Sequence, residues 1–222
     1  MNKEIIEFGE KIIQDTFQKW KDSQNQYDFW NYGFGVFYSP IYYQPDLMII
    51  GYNLGGTEKD FKLDESVIIP EEHEYFVYDY KLARKQKDIW GRLNKINMLK
   101  ESVKLNLNFF RSRNITQWKT INKSLRKEIE IFCASKVKEI IFKVQPKVIL
   151  VEGMKTYDEL FFKVFNVLSV NSETIKRNKR RIFTKSVYDN KDIIGIIHPS
   201  GCRLAYEDFE LIISSLKDAI NF

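Results

Sequence analysis

The chain has 222 residues, 44% hydrophobic and 15% aromatic, with 35 Lys and Arg against 30 Asp and Glu for a net charge of +5. That length and composition suit one globular domain, residues 1–222, able to bury a core of useful size. Two cysteines, Cys133 and Cys202, beside only His73 and His198, exclude a disulfide framework, a four-thiolate cluster and any zinc-ligand spacing, so neither a metal nor a redox cofactor is expected.

From the N-terminus, apolar residues at Ile5, Ile6, Phe8, Ile12, Ile13, Phe17 and Trp20 recur at helical spacing. The opening "MNKEIIEFGEKIIQ" alternates charge with apolar residues, unlike a secretory signal, and the apolar runs fall short of the roughly 20 residues a membrane-spanning helix needs. A cytoplasmic protein with no membrane partner is the expectation. "YDFWNYGFGVFYSPIYYQP" is aromatic and punctuated by Gly33, Gly35, Pro40 and Pro45, which predicts an ordered loop packed on the core. Residues 1–35 thus form a helix-and-loop extension to an α/β core over 36–222.

"LMII" at 47–50 predicts a short strand buried on both faces, running into a Gly-x-Asn-x-Gly-Gly turn: Gly51, Tyr52, Asn53, Leu54, Gly55, Gly56. Glycines there let the main chain approach a ligand closely. An acidic stretch follows, then "YKLARKQKDIWGRLNKIN", a helix with a basic face, and "VKLNLNFF", which alternates as a strand. "SLRKEIEIFCASKVKEIIFKV" is helical, capped by Asn122 or Ser124 and ended by Pro146. "KVILVEG" predicts a second buried strand, "MKTYDELFFKVFNVL" a helix, "RRIFTKSVYD" an exposed strand, "DIIGII" a buried strand leading into "HPSG", and "YEDFELIISSLKDAINF" a closing helix. Apolar strands alternating with helices imply a three-layer α/β/α sandwich with a mainly parallel central sheet.

Charge is unevenly spread. Lys81 to Lys127 holds fourteen Lys or Arg against Asp88 and Glu101, whereas Thr57 to Asp79 holds eight acidic residues against Lys59 and Lys62. "KRNKRR", Lys176 to Arg181, sets five cations in six residues. These stretches read either as solvated surface or as a phosphate-tracking surface, for which Arg111, Arg113, Lys176, Arg177 and Arg180 are the candidate contacts.

Ligands of such folds bind outside the carboxyl ends of the parallel strands. "GYNLGG", "NLNFFRSR" and "HPSG" should therefore meet at one rim. This ordered set, a GxNxG turn, a middle strand carrying asparagine and a late HPS turn, resembles the uracil-DNA glycosylase superfamily, and most closely its branches with a Gly-x-Asn-Pro-Gly first motif. The resemblance covers residues 36 to 222 and implies a glycosylase-like fold. Leu54 stands where the family has proline, which leaves the turn less rigid.

The resemblance implies that Asn53 holds the attacking water and that His198 hydrogen-bonds the uracil carbonyl. Asn106 or Asn108 reads the base edge, with Asn106 preferred for its neighbours Lys104, Leu105 and Leu107. Gly51, Tyr52, Gly55 and Ser200 complete the substrate-binding set. Arg203 or Leu204 would fill the stack vacated by an extruded base. Tyr75, Phe76 or Tyr78 would stack on it. Chemically, a neutral imidazole can stabilise the departing pyrimidine anion, and a fixed carboxamide can pair uracil while leaving cytosine mismatched. The expected function is a monomeric DNA glycosylase cleaving the N-glycosidic bond of uracil or a related damaged base in single- or double-stranded DNA. The alternatives are a catalytically impaired relative that binds nucleic acid or a protein, and a small-molecule nucleotide-binding domain. Against the latter stands the lack of a Gly-x-Gly-x-x-Gly or Gly-Lys-Ser/Thr signature.

Overall fold

A computed structural model describes residues 2–53, 55–200 and 204–220. Leu54, Cys202 and Arg203, named above for the first turn, the cysteine set and the stack-filling role, lie outside the described residues.

Helix α1 (Lys3–Asp22) is capped by Asn2, whose side chain accepts from the Glu4 amide. The aromatic loop follows and leads to β1 (Leu47–Asn53). Short helices α2 (Leu63–Ser66) and α3 (Glu74–Val77) occupy the acidic stretch. The basic helix divides at Asn94, which takes a positive φ of 55°, into α4 (Lys81–Arg92) and α5 (Ile96–Lys100). Then come β2 (Val103–Asn108), α6 (Ile115–Trp118) and α7 (Lys123–Val144). Asn122 caps α7, and Gln145, left-handed ahead of Pro146, ends it. β3 (Val148–Glu152) runs through Gly153 into α8 (Met154–Glu159), which continues as one π-helical stretch, Leu160–Val164. β4 (Ser172–Arg177), β5 (Arg180–Tyr188), β6 (Lys191–Ile196) and α9 (Tyr206–Ala219) complete the described chain.

The six strands form one sheet in the order β2-β1-β3-β6-β5-β4. The first four are parallel, and β5 and β4 are antiparallel additions beyond β6. Alternation sorts each central strand's side chains onto two faces. Met48, Ile50, Val103, Leu105, Ile149 and Val151 pack with α1, α7 and α8, while Leu47, Ile49, Val148, Leu150, Ile194 and Ile196 pack with α4 and α9. The result is the expected α/β/α sandwich. Leu47 to Ile50 are all 0% exposed, and full burial of each such side chain is worth on the order of 1.5–3 kcal/mol.

Residues 2–35 are part of this packing: Ile5, Ile12, Ile13, Trp20, Phe29 and Phe34 share the apolar cluster of β1 and β2. The aromatic loop lies antiparallel along β2 through bridges Phe34–Phe110 and Phe37–Leu105. One expectation changes. β5 is an interior strand with Ile182, Phe183, Thr184 and Ser186 buried, because β4, of which only Lys176 and Arg177 belong to the charged cluster, pairs along it.

Candidate functional site

β1, β2, β3 and β6 are parallel, so their carboxyl ends share one rim. In register, Gly51 pairs with Asn106 and Asn53 with Asn108. Strand β2 reads Val-Lys-Leu-Asn-Leu-Asn, and all six residues are buried, so its polar row must find partners inside the protein.

Asn106 does so beside Gly51. A β-carbon built on Gly51 would overlap Asn106 Oδ1 and sit 3.5 Å from Glu152 Oε2, so only glycine admits this carboxamide. Near it the Tyr38 hydroxyl donates to the Gly35 carbonyl at 2.9 Å. Burial pushes the Tyr38 phenol up, opposed first by Arg111 and then by the Asn106 side chain. Asn106 Oδ1 thus lies against the Gly51 backbone. Asn108 instead donates to the Tyr52 carbonyl at 3.3 Å, a lock between strands. Between the two asparagines left open by the sequence, Asn106 is the one beside the glycine.

Asn53 ends β1. Its Nδ2 donates to Ser112 Oγ at 2.7 Å, and that hydroxyl donates onward to the Asn114 carbonyl at 3.1 Å. Because Ser112 spends its proton on Asn114, it can only accept from Asn53, which fixes the amide orientation and leaves Oδ1 directed away. Among the described residues nothing donates to that oxygen.

His198 follows β6 and is half-buried. The Ser200 amide donates to its Nδ1 at 3.3 Å, and the Ser200 hydroxyl lies at the same distance. An Nδ1 that accepts leaves the proton on Nε2. Burial lowers the imidazole below its ordinary value, opposed by Glu152 and reinforced by Lys104, so the ring is neutral at pH 7. The turn is held from α4, where Lys81 Nζ donates to the Ser200 carbonyl at 3.0 Å. Gly153 closes the gap to β3: a β-carbon there would lie 3.8 Å from His198 Cβ.

Between Asn106 and His198 sits a group the sequence reading missed. Glu152, 1% exposed, takes hydrogen bonds from the Tyr75 hydroxyl (2.5 Å) and Gln86 Nε2 (2.7 Å) on Oε1, and faces Lys104 Nζ at 3.6 Å through Oε2. Lys104, 3% exposed, also binds Glu74 at 2.9 Å. Burial alone would raise the Glu152 carboxyl, yet Lys104, then His198, Tyr75 and Gln86, hold it below the usual range. Burial alone would likewise lower Lys104, and Glu74 and Glu152 outweigh it. Both groups are charged. A lone Lys in an otherwise Val/Leu/Asn strand, and a Glu closing "VILVE", were the available signals.

The remaining candidates divide. Tyr52 projects to the opposite face of β1, its ring 5.4 Å from Lys155 Nζ, so its side chain stands apart from Gly51. Gly55 is exposed with open space around it. Arg111 is half-buried against Gly56, its Nε without a partner among the described residues, whereas Arg113 is exposed. Arg177 is bound to Asp208 at 2.7 Å and Glu207 at 3.5 Å, while Lys176 and Arg180 are exposed. Leu204 packs into the α4/α9 apolar cluster as a helix-entry residue. Tyr75 is buried on Glu152, which removes it as a stacking platform; Phe76 packs on the same apolar cluster and Tyr78 is exposed.

A cleft of about 350 Å³ lies elsewhere, lined by Ile131, Ala134, Phe162, Lys163, Asn166 and Leu168 among others, and contains none of the candidate residues. Among the described residues no three His, Cys, Asp or Glu gather as a metal site, and no helix is long and apolar enough to cross a membrane.

Fold and rim together define a three-layer α/β/α protein with a mainly parallel sheet and a polar cluster at the carboxyl ends of its strands. Neither a family model nor a curated protein matches the chain.

Proposed function

We propose that this protein is a DNA glycosylase that hydrolyses the N-glycosidic bond of uracil or a related base. The observation that carries the reading is the grouping of Asn106, oriented over Gly51, with the neutral Nε2–H tautomer of His198 around one buried carboxylate.

The chemistry follows from those orientations. As the bond between C1′ and N1 breaks, its electron pair goes to the base and charge gathers on the O2 carbonyl. The His198 Nε2–H donates to that oxygen without giving up its proton, the kind of preorganised donor that contributes most to such barriers. Asn106 Oδ1 accepts from uracil N3–H, and its Nδ2 donates to O4; cytosine presents the reverse pattern and leaves both groups unpaired. Asn53 Oδ1, its amide pinned by Ser112, accepts from the water that adds to C1′, and the proton that water sheds passes through solvent to the departed pyrimidine anion.

The test is incubation of the protein with single- and double-stranded oligonucleotides bearing one uracil, followed by alkaline cleavage of abasic sites. Strand breaks are expected from the parent, with rates lowered by roughly 10²–10³ in His198→Ala, the scale of a lost oxyanion donor. Asn53→Ala should also lose rate while keeping the fold. No breaks with uracil, hypoxanthine, oxidised pyrimidines or mismatched thymine, from a folded protein that binds DNA, would replace the enzyme reading with a binding one.

A further inference from the structure

We propose that the β4–β5 hairpin is a phosphate-binding arm that holds the DNA strand beside the base bound at the rim; this rests on the reading of the rim as a base site.

Strand register places the hairpin tip where that strand would run. β5 is antiparallel to β6, with Phe183 opposite Ile196 and the Ile197 amide bonded to the Ile182 carbonyl at 2.9 Å. Arg180 lies three residues further, so the tip stands roughly 10 Å beyond the end of β6, at the rim that carries His198. The cluster "KRNKRR" is thus delivered to the site, although more than a hundred residues separate it from Asn53.

The tip is built against its own local stability. Arg177 pairs directly with Arg180, and Lys176 with Arg181, so like charges face each other across the ladder. At the two-residue turn Asn178 and Lys179 both take positive φ, 50° and 64°. Glycine or asparagine is the relaxed choice there, and the chain sets a cation in the second position. Such conflicts with local rules mark functional segments.

Ion pairs divide the cations into two groups. Arg177 reaches Asp208 of α9 at 2.7 Å and Arg181 reaches Asp158 of α8 at 2.8 Å, tying the hairpin to both helical layers. Lys176, Lys179 and Arg180 are exposed and make no ion pair among the described residues. Three uncompensated cations on an anchored arm suit successive phosphates of one strand, each neutralised phosphate releasing counterions.

The experiment measures binding of labelled oligothymidylate, about 15 nucleotides long and free of uracil, against salt concentration. The variant is Lys176→Gln/Lys179→Gln/Arg180→Gln, and the equal-charge control is Lys3→Gln/Lys11→Gln/Lys21→Gln on α1. The hairpin variant should bind at least ~10-fold more weakly at low salt, with a log–log salt slope shallower by about 2, and the control should match the parent. An unchanged slope in the hairpin variant, an equal loss in the control, or binding of the parent to anionic lipid vesicles but not to DNA would each overturn the arm. Uracil release is scored separately. A parent that binds through the hairpin yet frees no base keeps the arm and loses the glycosylase reading; a parent that frees uracil with hairpin-independent binding does the reverse.

Discussion

Gly51 and Asn106 form one recognition unit, because the carboxamide occupies the space where any other residue would hold its β-carbon. Gly51→Ala should therefore displace the Asn106 carboxamide from its place over Gly51, at an overpacking cost of about 1–3 kcal/mol, and abolish preference for uracil over cytosine. Competition between uracil and cytosine oligonucleotides checks this, and an unchanged preference in a folded variant would remove Asn106 from recognition. At this scale the sequence was half legible. Asn53 and His198 stood out because each ends or follows an apolar strand, and Asn106 because it sits inside a strand among leucines, where polar residues need a reason. Glu152 and Lys104 carried only the weak signal of a charge inside a buried strand, and nothing local says that they meet Glu74, Tyr75 and Gln86, which lie on two different helices. The alternation that makes Tyr52 face away was readable, yet the reading of the turn as one ligand loop overrode it.

Strands and helices are coupled through that buried cluster. Lys104 on β2 bridges Glu74 of α3 and Glu152 of β3, so its charge compensates two carboxylates at once. Lys104→Met should cost about 3–5 kcal/mol, the penalty for stranding a buried charge, and should raise the Glu152 carboxyl. Urea unfolding at pH 7 measures the loss; a change under about 1 kcal/mol would show that the cluster relaxes to water instead. The central strands were legible because unbroken apolar runs bounded by glycine have few other uses. β4, Ser-Glu-Thr-Ile-Lys-Arg, was not: its residues are mostly exposed, and its ladder to β5 needs only backbone groups, which every sequence supplies. Missing β4 made β5 look like an exposed strand.

For the molecule as a whole, the two histidines contribute acid sensitivity that begins above the carboxylate range. His73 is buried, accepts from the Tyr75 amide and contacts Ser102 Oγ at 3.1 Å; burial, with Lys104 nearby, lowers it to about 3. The unfolded chain binds this proton below pH ~6.5 and the folded chain does not, so stability falls as pH drops from about 6.5 toward 3, by up to ~1.4 kcal/mol per unit. His198, also lowered, adds in the same direction. Denaturant curves at pH 7, 6 and 5 should show this slope and a shallower one in His73→Gln; identical slopes would place the proton uptake elsewhere. The aromatic segment along β2 has a consequence of its own. Phe34 and Phe37 occupy one flank of the sheet, and on the other flank β4 offers a short row bearing Glu173, Lys176 and Arg177. A stray strand from another molecule finds one side already shut and the other guarded by charge, which protects the folded protein from growing into fibres by strand addition.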